Sequence, residues 1–162
     1  MILITNANLI TWEQPNQVLE GHAILIEDDR ITAIGPTAEL EYLFSQAERL
    51  DAHGQYAMPG NICAHTHFYG AFARGLAVPP PAPKEFSEIL QKLWFPLDKS
   101  LTLEDVRYSA LVMLIDAIKH GTTTLFDHHA SPNAIDGSLD VIAEAVDQAG
   151  FRAVLCYEVT DR

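Results

Sequence analysis

The chain has 162 residues, 48% hydrophobic and 20% charged, which is enough for one domain or two small lobes around a real core. Its 22 acidic residues outnumber the 10 basic ones and give a net charge of −12, which argues against a nucleic-acid surface and against docking on anionic membranes. No stretch reaches the roughly 20 apolar residues of a membrane-spanning helix, and the N-terminus lacks the pattern of a signal peptide.

The N-terminal third of the chain has the pattern of β structure. Two β-branched runs, 22–27 and 30–34, flank a polar dipeptide, and this arrangement predicts a hairpin. Residues 37–50 predict a short helix. We therefore expect residues 1–57 to form a β-rich lobe.

From residue 58 onward, strand patterns alternate with helical patterns. Short apolar runs without polar alternation predict strands buried on both faces of a parallel sheet, at 61–68, 122–129 and 151–159. Between these runs, apolar residues recur at helical spacing, at 84–97, 102–120 and 139–149. This order predicts βαβ crossovers, and thus an α/β domain over residues 58–162.

Helix-capping residues mark the ends of two of these helices. Thr102 and Asp105 resemble a capping box, and Gly121 provides a left-handed residue after the same helix. Ser138 is predicted to cap the start of the next helix, which Gly150 ends.

The two cysteines predict free thiols rather than a disulfide or a metal site. Cys63 and Cys156 lie far apart, each inside an apolar run, so we expect both to be buried. Together with the missing signal peptide, this cysteine usage predicts a cytoplasmic protein.

Two histidines, His65 and His67, stand one residue apart at the end of the first predicted strand of the α/β domain. Positions i and i+2 of a strand point the same way, about 6.6–6.8 Å apart, so both imidazoles could reach one metal ion at about 2.0–2.1 Å. There they would face the crevice where α/β proteins bind ligands. The alternative is that both are polar residues that end a strand and form local hydrogen bonds.

A second polar cluster, Asp127 to Pro132, lies at the end of the next strand. Adjacent strand residues point to opposite faces, so His128 and His129 are not expected to face the same pocket. One of them, His128 in our interpretation, could reach a substrate or a water on the metal. Alternatively, Asp127 and Ser131 satisfy turn amides and the histidines are partly exposed.

Three further polar residues are candidates for the same crevice. Tyr69 and Arg74 follow the histidine pair and could orient an anionic or aromatic substrate, or they could be ordinary solvated loop residues. Glu158, at the end of the third strand, could reach the crevice or pair with Arg152 or Arg162.

Four stretches together resemble the metal-dependent amidohydrolase superfamily: MPGNICAHTHFYGAFARGL, LWFPLDKSLTLEDVRYSAL, GTTTLFDHHASP and GSLDVIAEAVDQAGFRAVLCYEVTDR. The resemblance covers the whole chain. It is greatest to the SsnA-type aminohydrolases, near the chlorohydrolases and the guanine and cytosine deaminases.

The resemblance implies a (β/α)8 TIM barrel flanked by a small β-sandwich that both chain ends build. It implies that His65 and His67 bind one divalent metal, zinc or iron. A metal-activated water would then attack a carbon that bears nitrogen or another leaving group, in a small substrate such as a nitrogen heterocycle, and break a carbon–nitrogen bond other than a peptide bond, with release of ammonia in the deaminases.

The resemblance also implies residues beyond this chain: histidines after the fifth and sixth strands, an acidic proton shuttle near the fifth, and an aspartate after the eighth. Because the chain ends after its third predicted strand, we expect an incomplete barrel, an N-terminal fragment that is inactive alone.

Two other classes of protein stay open. One is a small metal-binding module such as a cupin. A cupin requires a glutamate a few residues after the histidine pair, and this chain has no acidic residue there. The other is a non-catalytic fragment that binds a partner chain through an open sheet edge, and the sequence leaves an oligomer open as well.

Overall fold

The computed structural model describes residues 1–160 and divides the chain into two compact units, Met1–Pro59 and Gly60–Arg162. Asp161 and Arg162 lie outside the described residues, and so does the pairing of Glu158 with Arg162 considered above. Among the described residues, no helix has the length and apolar character needed to cross a membrane.

The first unit is a five-stranded sheet with one short helix. Its elements are β1 (Ile2–Ile10), β2 (Val18–Glu27), β3 (Arg30–Pro36), α1 (Thr37–Leu43), β4 (Glu48–Asp51) and β5 (Tyr56–Ala57). The sheet order is β3-β2-β1-β4, and β5 also pairs with β1. The predicted hairpin is confirmed, with Glu27 opposite Arg30 in an antiparallel pair. The helix predicted over 37–50 ends already at Leu43, because residues from Glu48 onward pair with β1 as a parallel strand.

The core of this first unit follows from the alternation of side chains along the strands. Every second residue of β1, from Leu3 to Leu9, is buried, as expected for a strand with one face on a core. Buried residues of β1, β2, α1 and the turn before β4 form one apolar cluster, made of Leu3, Ala23, Leu25, Leu40 and Ala47.

The second unit is a three-stranded parallel sheet with helices between the strands. Its elements are β6 (Asn61–Thr66), a 3-10 helix (Phe68–Ala73), α2 (Phe86–Ile89), a π-helical turn (Leu90–Trp94), α3 (Phe95–Ser100), α4 (Leu103–Lys119), β7 (Thr122–His129), α5 (Ser138–Ala149) and β8 (Arg152–Tyr157). The sheet order β6-β7-β8 is parallel throughout, as the sequence predicts. The 3-10 helix directly after the histidine pair was not predicted.

The helices α4 and α5 cover only one face of this sheet. Side chains of alternate strand residues, such as Leu125 and Leu155, pack with the buried faces of α4 and α5. On the opposite face Ile62, Phe126 and Val154 are 67%, 38% and 49% exposed. The prediction of strands buried on both faces is therefore wrong, because the described residues leave this second face, here called the open face, uncovered.

The cysteine prediction is correct in one respect and wrong in another. Both cysteines are free, and Cys63 is half-buried beside the core. Cys156 is exposed, because it lies opposite His128 on the open face rather than under a helix.

The predicted capping box at the start of α4 is confirmed. The Thr102 hydroxyl accepts a hydrogen bond from the Asp105 N–H at 3.2 Å, and the Asp105 carboxylate accepts one from the Thr102 N–H at 2.9 Å. The Thr102 hydroxyl also donates to the Asp105 carboxylate at 2.7 Å, and this bond, together with the one from the Thr102 N–H, holds the pKa of Asp105 below its ordinary value of 3.8. The carboxylate's contribution to stability is therefore present above that ordinary value and is lost as the pH falls through the lowered pKa.

Replacing Thr102 by alanine should destabilise the first turn of α4 by about 1 kcal/mol, since one amide loses its acceptor. Hydrogen exchange of the Asp105 and Val106 amides should then speed up about fivefold at neutral pH. Ser87→Ala, in α2, is the control and should leave these two amides unchanged. Unaltered exchange in Thr102→Ala would mean that the hydrogen bonds of the capping box contribute nothing measurable.

The predicted cap of α5 is wrong by one residue. The N-cap position is Gly137, whose φ of +80° suits glycine, and Ser138 is the first helical residue. The Ser138 hydroxyl donates to the Ile135 carbonyl at 2.8 Å instead of accepting from a helix amide. The sequence could not separate two neighbouring residues that both favour helix starts.

Candidate metal centre

The carboxyl ends of β6, β7 and β8 meet at an open cavity of about 860 Å³. Because parallel strands end at the same edge of a sheet, side chains far apart in sequence converge there. His65 and His67 reach the cavity from the end of β6, His128 from β7, and Glu158 from just after β8. The helical segment between residues 86 and 98 supplies a largely aromatic wall, made of Phe86, Leu90, Trp94 and Phe95.

The two histidines of the His-x-His pair point to the same place. Their Nε2 atoms lie 3.1 Å apart, and their rings meet edge to face with centroids 5.0 Å apart. Two nitrogens bound to one ion at 2.0–2.1 Å are separated by roughly 2.9–3.4 Å when the angle at the ion is between square and tetrahedral. The separation of the two Nε2 atoms therefore fits a single bound cation.

The protonation of His67 follows from its other ring nitrogen. Nδ1 lies 2.6 Å from the backbone carbonyl oxygen of His128, and a carbonyl can only accept, so Nδ1 must carry the hydrogen. In the neutral ring, Nε2 then presents a lone pair to the cavity. This is the arrangement by which a metal-ligating histidine is usually oriented through its second nitrogen.

A complete set of metal ligands is not found among residues 1–160: no group of three or more His, Cys, Asp or Glu side chains is arranged to hold an ion. A protein zinc site needs at least three protein ligands. The histidine pair can supply two of them, so at least one further ligand is required. The described part of the chain fits a metal at this place but does not enclose one.

The histidines of β7 separate as the alternation rule predicts. His128 is exposed at the cavity, and its ring centroid lies 5.7 Å from that of His67. His129 is completely buried on the helix side of the sheet. The alternative reading, in which both histidines are partly exposed, is wrong for His129, since it packs between Tyr69 and Tyr157 with ring centroids 5.8 Å away on each side.

The buried ring of His129 is held in one tautomer. Ser131 Oγ donates to the Ala134 carbonyl at 2.9 Å, so His129 Nε2–H donates to Ser131 Oγ at 2.9 Å. Burial lowers the pKa of His129 to about 4, which keeps the ring neutral at pH 7. Ser131 thus stabilises the loop after β7 by donating to a carbonyl, whereas the turn interpretation had it accept from a turn amide.

The structure brings Tyr69 to the cavity but leaves Arg74 outside it. Tyr69 is 4% exposed, and its ring lies 5.7 Å from that of His67 and meets Trp94 edge to face at 6.0 Å. The Arg74 guanidinium lies on the surface, 3.3 Å from an Asp116 carboxylate oxygen. The 3-10 helix that separates these two residues therefore contributes only its first part to the cavity.

Two buried carboxyl groups lie near the cavity: the sequence interpretation missed Asp98 and gave Asp127 only a turn amide as its partner. Asp98, from α3, lines the cavity and is fully buried. Asp127 is 1% exposed, and its Oδ1 accepts a hydrogen bond from the Phe68 N–H at 2.7 Å. Burial raises the pKa of Asp127 to about 7, and the Phe68 hydrogen bond opposes that rise. The only sequence signal was an acidic residue beside an apolar segment, which does not reveal its partner.

Comparison with known families and proteins gives consistent matches. Residues 56–162 match the model of the amidohydrolase family, and residues 23–41 match that of a bacterial imidazolonepropionase-like composite domain. The 5-methylthioadenosine/S-adenosylhomocysteine deaminase of Desulforamulus reducens is 34% identical over 154 residues, which are 95% of this chain and 33% of that protein. The protein of the same name from Caldicellulosiruptor saccharolyticus is 35% identical, with the same two coverages. The chain thus spans about a third of the length of these curated relatives.

Solved structures agree with the fold. The atrazine chlorohydrolase TrzN of Arthrobacter aurescens TC1, complexed with zinc, superposes with a TM-score of 0.77 at 26% identity, over 97% of this chain and 35% of that one. Guanine deaminase from E. coli superposes with a TM-score of 0.82 at 18% identity, over 100% of this chain and 38% of that one. The predicted fold class, part of a TIM-barrel hydrolase, is confirmed by these matches.

Proposed function

The chain belongs to the amidohydrolase family, and we propose that it provides the first two metal ligands of an aminohydrolase that cleaves carbon–nitrogen bonds other than peptide bonds. Since the chain spans about a third of its curated relatives, the activity is proposed for a polypeptide that also supplies the further ligands and a proton shuttle.

The observation that carries this proposal is the geometry of the histidine pair. Two Nε2 atoms stand 3.1 Å apart at the rim of a cavity, and His67 is held by its Nδ1 so that Nε2 faces inward. A local hydrogen bond between the two rings would account for the distance, but not for the position of the pair at a cavity with an aromatic wall.

One divalent metal would be held by His65 and His67. Imidazole nitrogen suits both zinc and iron, and we propose zinc first because the chlorohydrolase TrzN was solved with zinc. Such an ion, when bound, would lower the pKa of water to about 7, which makes a hydroxide nucleophile available at neutral pH.

The chain's own residues would bind and orient the substrate. His128 is exposed at the cavity beside His67 and would hydrogen-bond the substrate near the carbon under attack. Tyr69 meets Trp94 of the aromatic wall edge to face, and the two rings form a surface on which a flat ring can pack and from which water is excluded. Arg74 is left out of the proposed site, because its guanidinium pairs with Asp116 away from the cavity.

A nitrogen heterocycle is the proposed substrate class. The aromatic wall suits a planar ring, and the carboxyl group of Glu158 in the cavity lining can accept hydrogen bonds from ring or amino N–H groups. Relatives named for a deaminase of adenosine derivatives and for an atrazine chlorohydrolase support this class. The cytoplasmic location stays a prediction.

The test is to express the full open reading frame that contains this chain, measure its bound metal and assay ammonia release from a panel of amino-substituted purines, pyrimidines and triazines. We expect about one zinc or iron per chain and turnover on at least one ring. A protein that binds no metal and releases no ammonia would contradict the proposal.

Replacing His128 by asparagine in that protein should lower kcat/KM roughly 10- to 100-fold, the cost of losing a hydrogen bond in a desolvated site. Metal content should stay unchanged, because His67 is held by the backbone carbonyl of residue 128 and not by its side chain. The matched control is His22→Asn, at a half-buried histidine of the first unit. Unaltered turnover in His128→Asn would remove His128 from the substrate site.

A second candidate function rests on the open face of the second unit. Ile62, Phe126 and Val154 are exposed there on a parallel sheet, a type that is normally covered on both faces. A non-catalytic fragment that binds another chain would show a stable complex whose formation does not depend on metal. Dissociation of every complex by a chelator would count against this function.

A further inference from the structure

Asp127 forms an unusual connection between β7 and the residue after the histidine pair. Its Oδ1 accepts a hydrogen bond from the Phe68 N–H at 2.7 Å, across 59 residues of sequence. Phe68 directly follows His67 and is itself completely buried. A buried side chain of one strand therefore determines where the backbone turns after the other.

This hydrogen bond lies where the regular pairing of β6 and β7 stops. The last paired residues are Thr66 and Asp127, and β6 ends at Thr66. Donors two residues apart point the same way along a strand, so the Phe68 N–H would be the next donor in line with Thr66. The Asp127 carboxylate thus replaces a backbone acceptor at this position.

A second bond lies beside the first. His67 Nδ1–H donates to the His128 carbonyl at 2.6 Å, so consecutive residues of β7 hold consecutive residues after β6. Rotation of the His67 ring is limited by the His128 carbonyl, and the backbone that carries the ring is fixed through Phe68. The position of His67 Nε2 depends on both bonds.

An aspartate is a costly residue to bury for one hydrogen bond. Its Oδ2 has no hydrogen-bond partner among the described residues, and burying a carboxyl group that is incompletely paired is unfavourable. An apolar side chain would pack at this place, between β7 and the helices, without that cost. The presence of the carboxyl group therefore calls for a function of the bond that it makes.

We propose that Asp127 is a positioning residue that fixes the Phe68 amide and thereby holds His67 Nε2 at the distance from His65 Nε2 that one metal ion requires. This inference rests on the proposed function only in taking the histidine pair as metal ligands. Asp127 itself contacts neither the ion nor the substrate.

Three variants of the full-length protein test this role. Asp127→Leu removes the acceptor and keeps similar bulk, whereas Asp127→Asn keeps an oxygen at the position of Oδ1. The third replaces Phe68 by phenyllactic acid through amber suppression, which turns the amide into an ester, removes the N–H and weakens the His67 carbonyl as an acceptor for the Gly70 N–H. The control for a general loss of stability is Ser138→Ala, which removes a buried hydrogen bond of α5.

Two measurements are made on each variant. Zinc affinity is obtained by chelator competition, alongside the urea midpoint, and we expect it to fall about 10- to 100-fold in Asp127→Leu and in the ester. Asp127→Asn should stay within about threefold of the wild type, as should Ser138→Ala despite a lower urea midpoint. In the metal-free protein, NMR should detect an exchange-protected Nδ1–H on His67 in the wild type and in Asp127→Asn. The same proton should not be protected in Asp127→Leu or in the Phe68 ester.

Wild-type zinc affinity with a protected Nδ1–H in Asp127→Leu and in the ester would overturn the proposal. It would also fail if Asp127→Asn lost as much affinity as Asp127→Leu, because charge rather than the hydrogen bond would then matter. If Asp127→Leu does not fold, the ester decides, because it keeps both side chains. If the wild type binds no zinc, the proposed function fails, and the NMR comparison alone decides the role of Asp127.

Discussion

Replacing His67 by alanine is expected to lower zinc affinity by two orders of magnitude or more. Loss of an outer partner of a ligand already costs about 10- to 100-fold in metal affinity, and loss of the ligand itself must cost more. His65→Ala should have a similar effect, since the two Nε2 atoms lie 3.1 Å apart and face the same proposed metal position. Plasma mass spectrometry of the full-length protein after dialysis, followed by chelator competition, measures the effect.

The comparison between the two alanine variants carries further information. His67→Ala also removes the hydrogen bond to the His128 carbonyl, so it should lower the affinity at least as much as His65→Ala. His22→Ala, in the first unit, is the control for the removal of any histidine and should bind metal normally. Full metal content in both alanine variants would mean that His65 and His67 are not metal ligands but polar residues that form local hydrogen bonds at a strand end.

The parts of the site that the sequence predicts depend on local geometry. The two-residue period of a strand was sufficient to place His65 and His67 together, and the same period separated His128 from His129. Parallel strands ending at one edge explain why His128 and Glu158 reach the same cavity as the pair. Each of these inferences needs only the direction of a strand and the position of a residue within it.

The parts that were missed depend on partners distant in sequence. The hydrogen bond from Phe68 to Asp127 crosses 59 residues, and no local pattern indicates it. In the sequence, Asp98 is a polar residue directly after a predicted helical segment, yet in the structure it is fully buried at the cavity. The apolar character of β6 and β8 predicted burial on both faces, but burial depends on what packs against a strand, and the described residues cover only one side.

Replacing Gly60 by alanine is expected to destabilise the second unit by about 3 kcal/mol, at the upper end of what overpacking costs. A Cβ at Gly60 would lie 2.8 Å from the Cβ of Thr123 and closer still to the Oγ1 and Cγ2 of that side chain. Thr123 lies on β7, and Gly60 immediately precedes β6, so the added methyl group would push apart the two strands that carry the site. Urea unfolding monitored by pulse proteolysis measures the loss.

The control and a second-site variant make this expectation specific. Gly35→Ala should cost less than about 1 kcal/mol, because its Cβ would meet Leu40 at an ordinary 3.5 Å. Thr123→Ala removes the two atoms closest to the new methyl group and leaves only the Cβ contact, so Gly60→Ala combined with Thr123→Ala should recover part of the stability. Since β6 positions His65 and His67, Gly60→Ala should also weaken zinc binding, and the double variant should restore part of it. Equal stability of Gly60→Ala and Gly35→Ala would show that β6 and β7 tolerate a wider separation at their start, and that the histidine pair does not depend on this close approach.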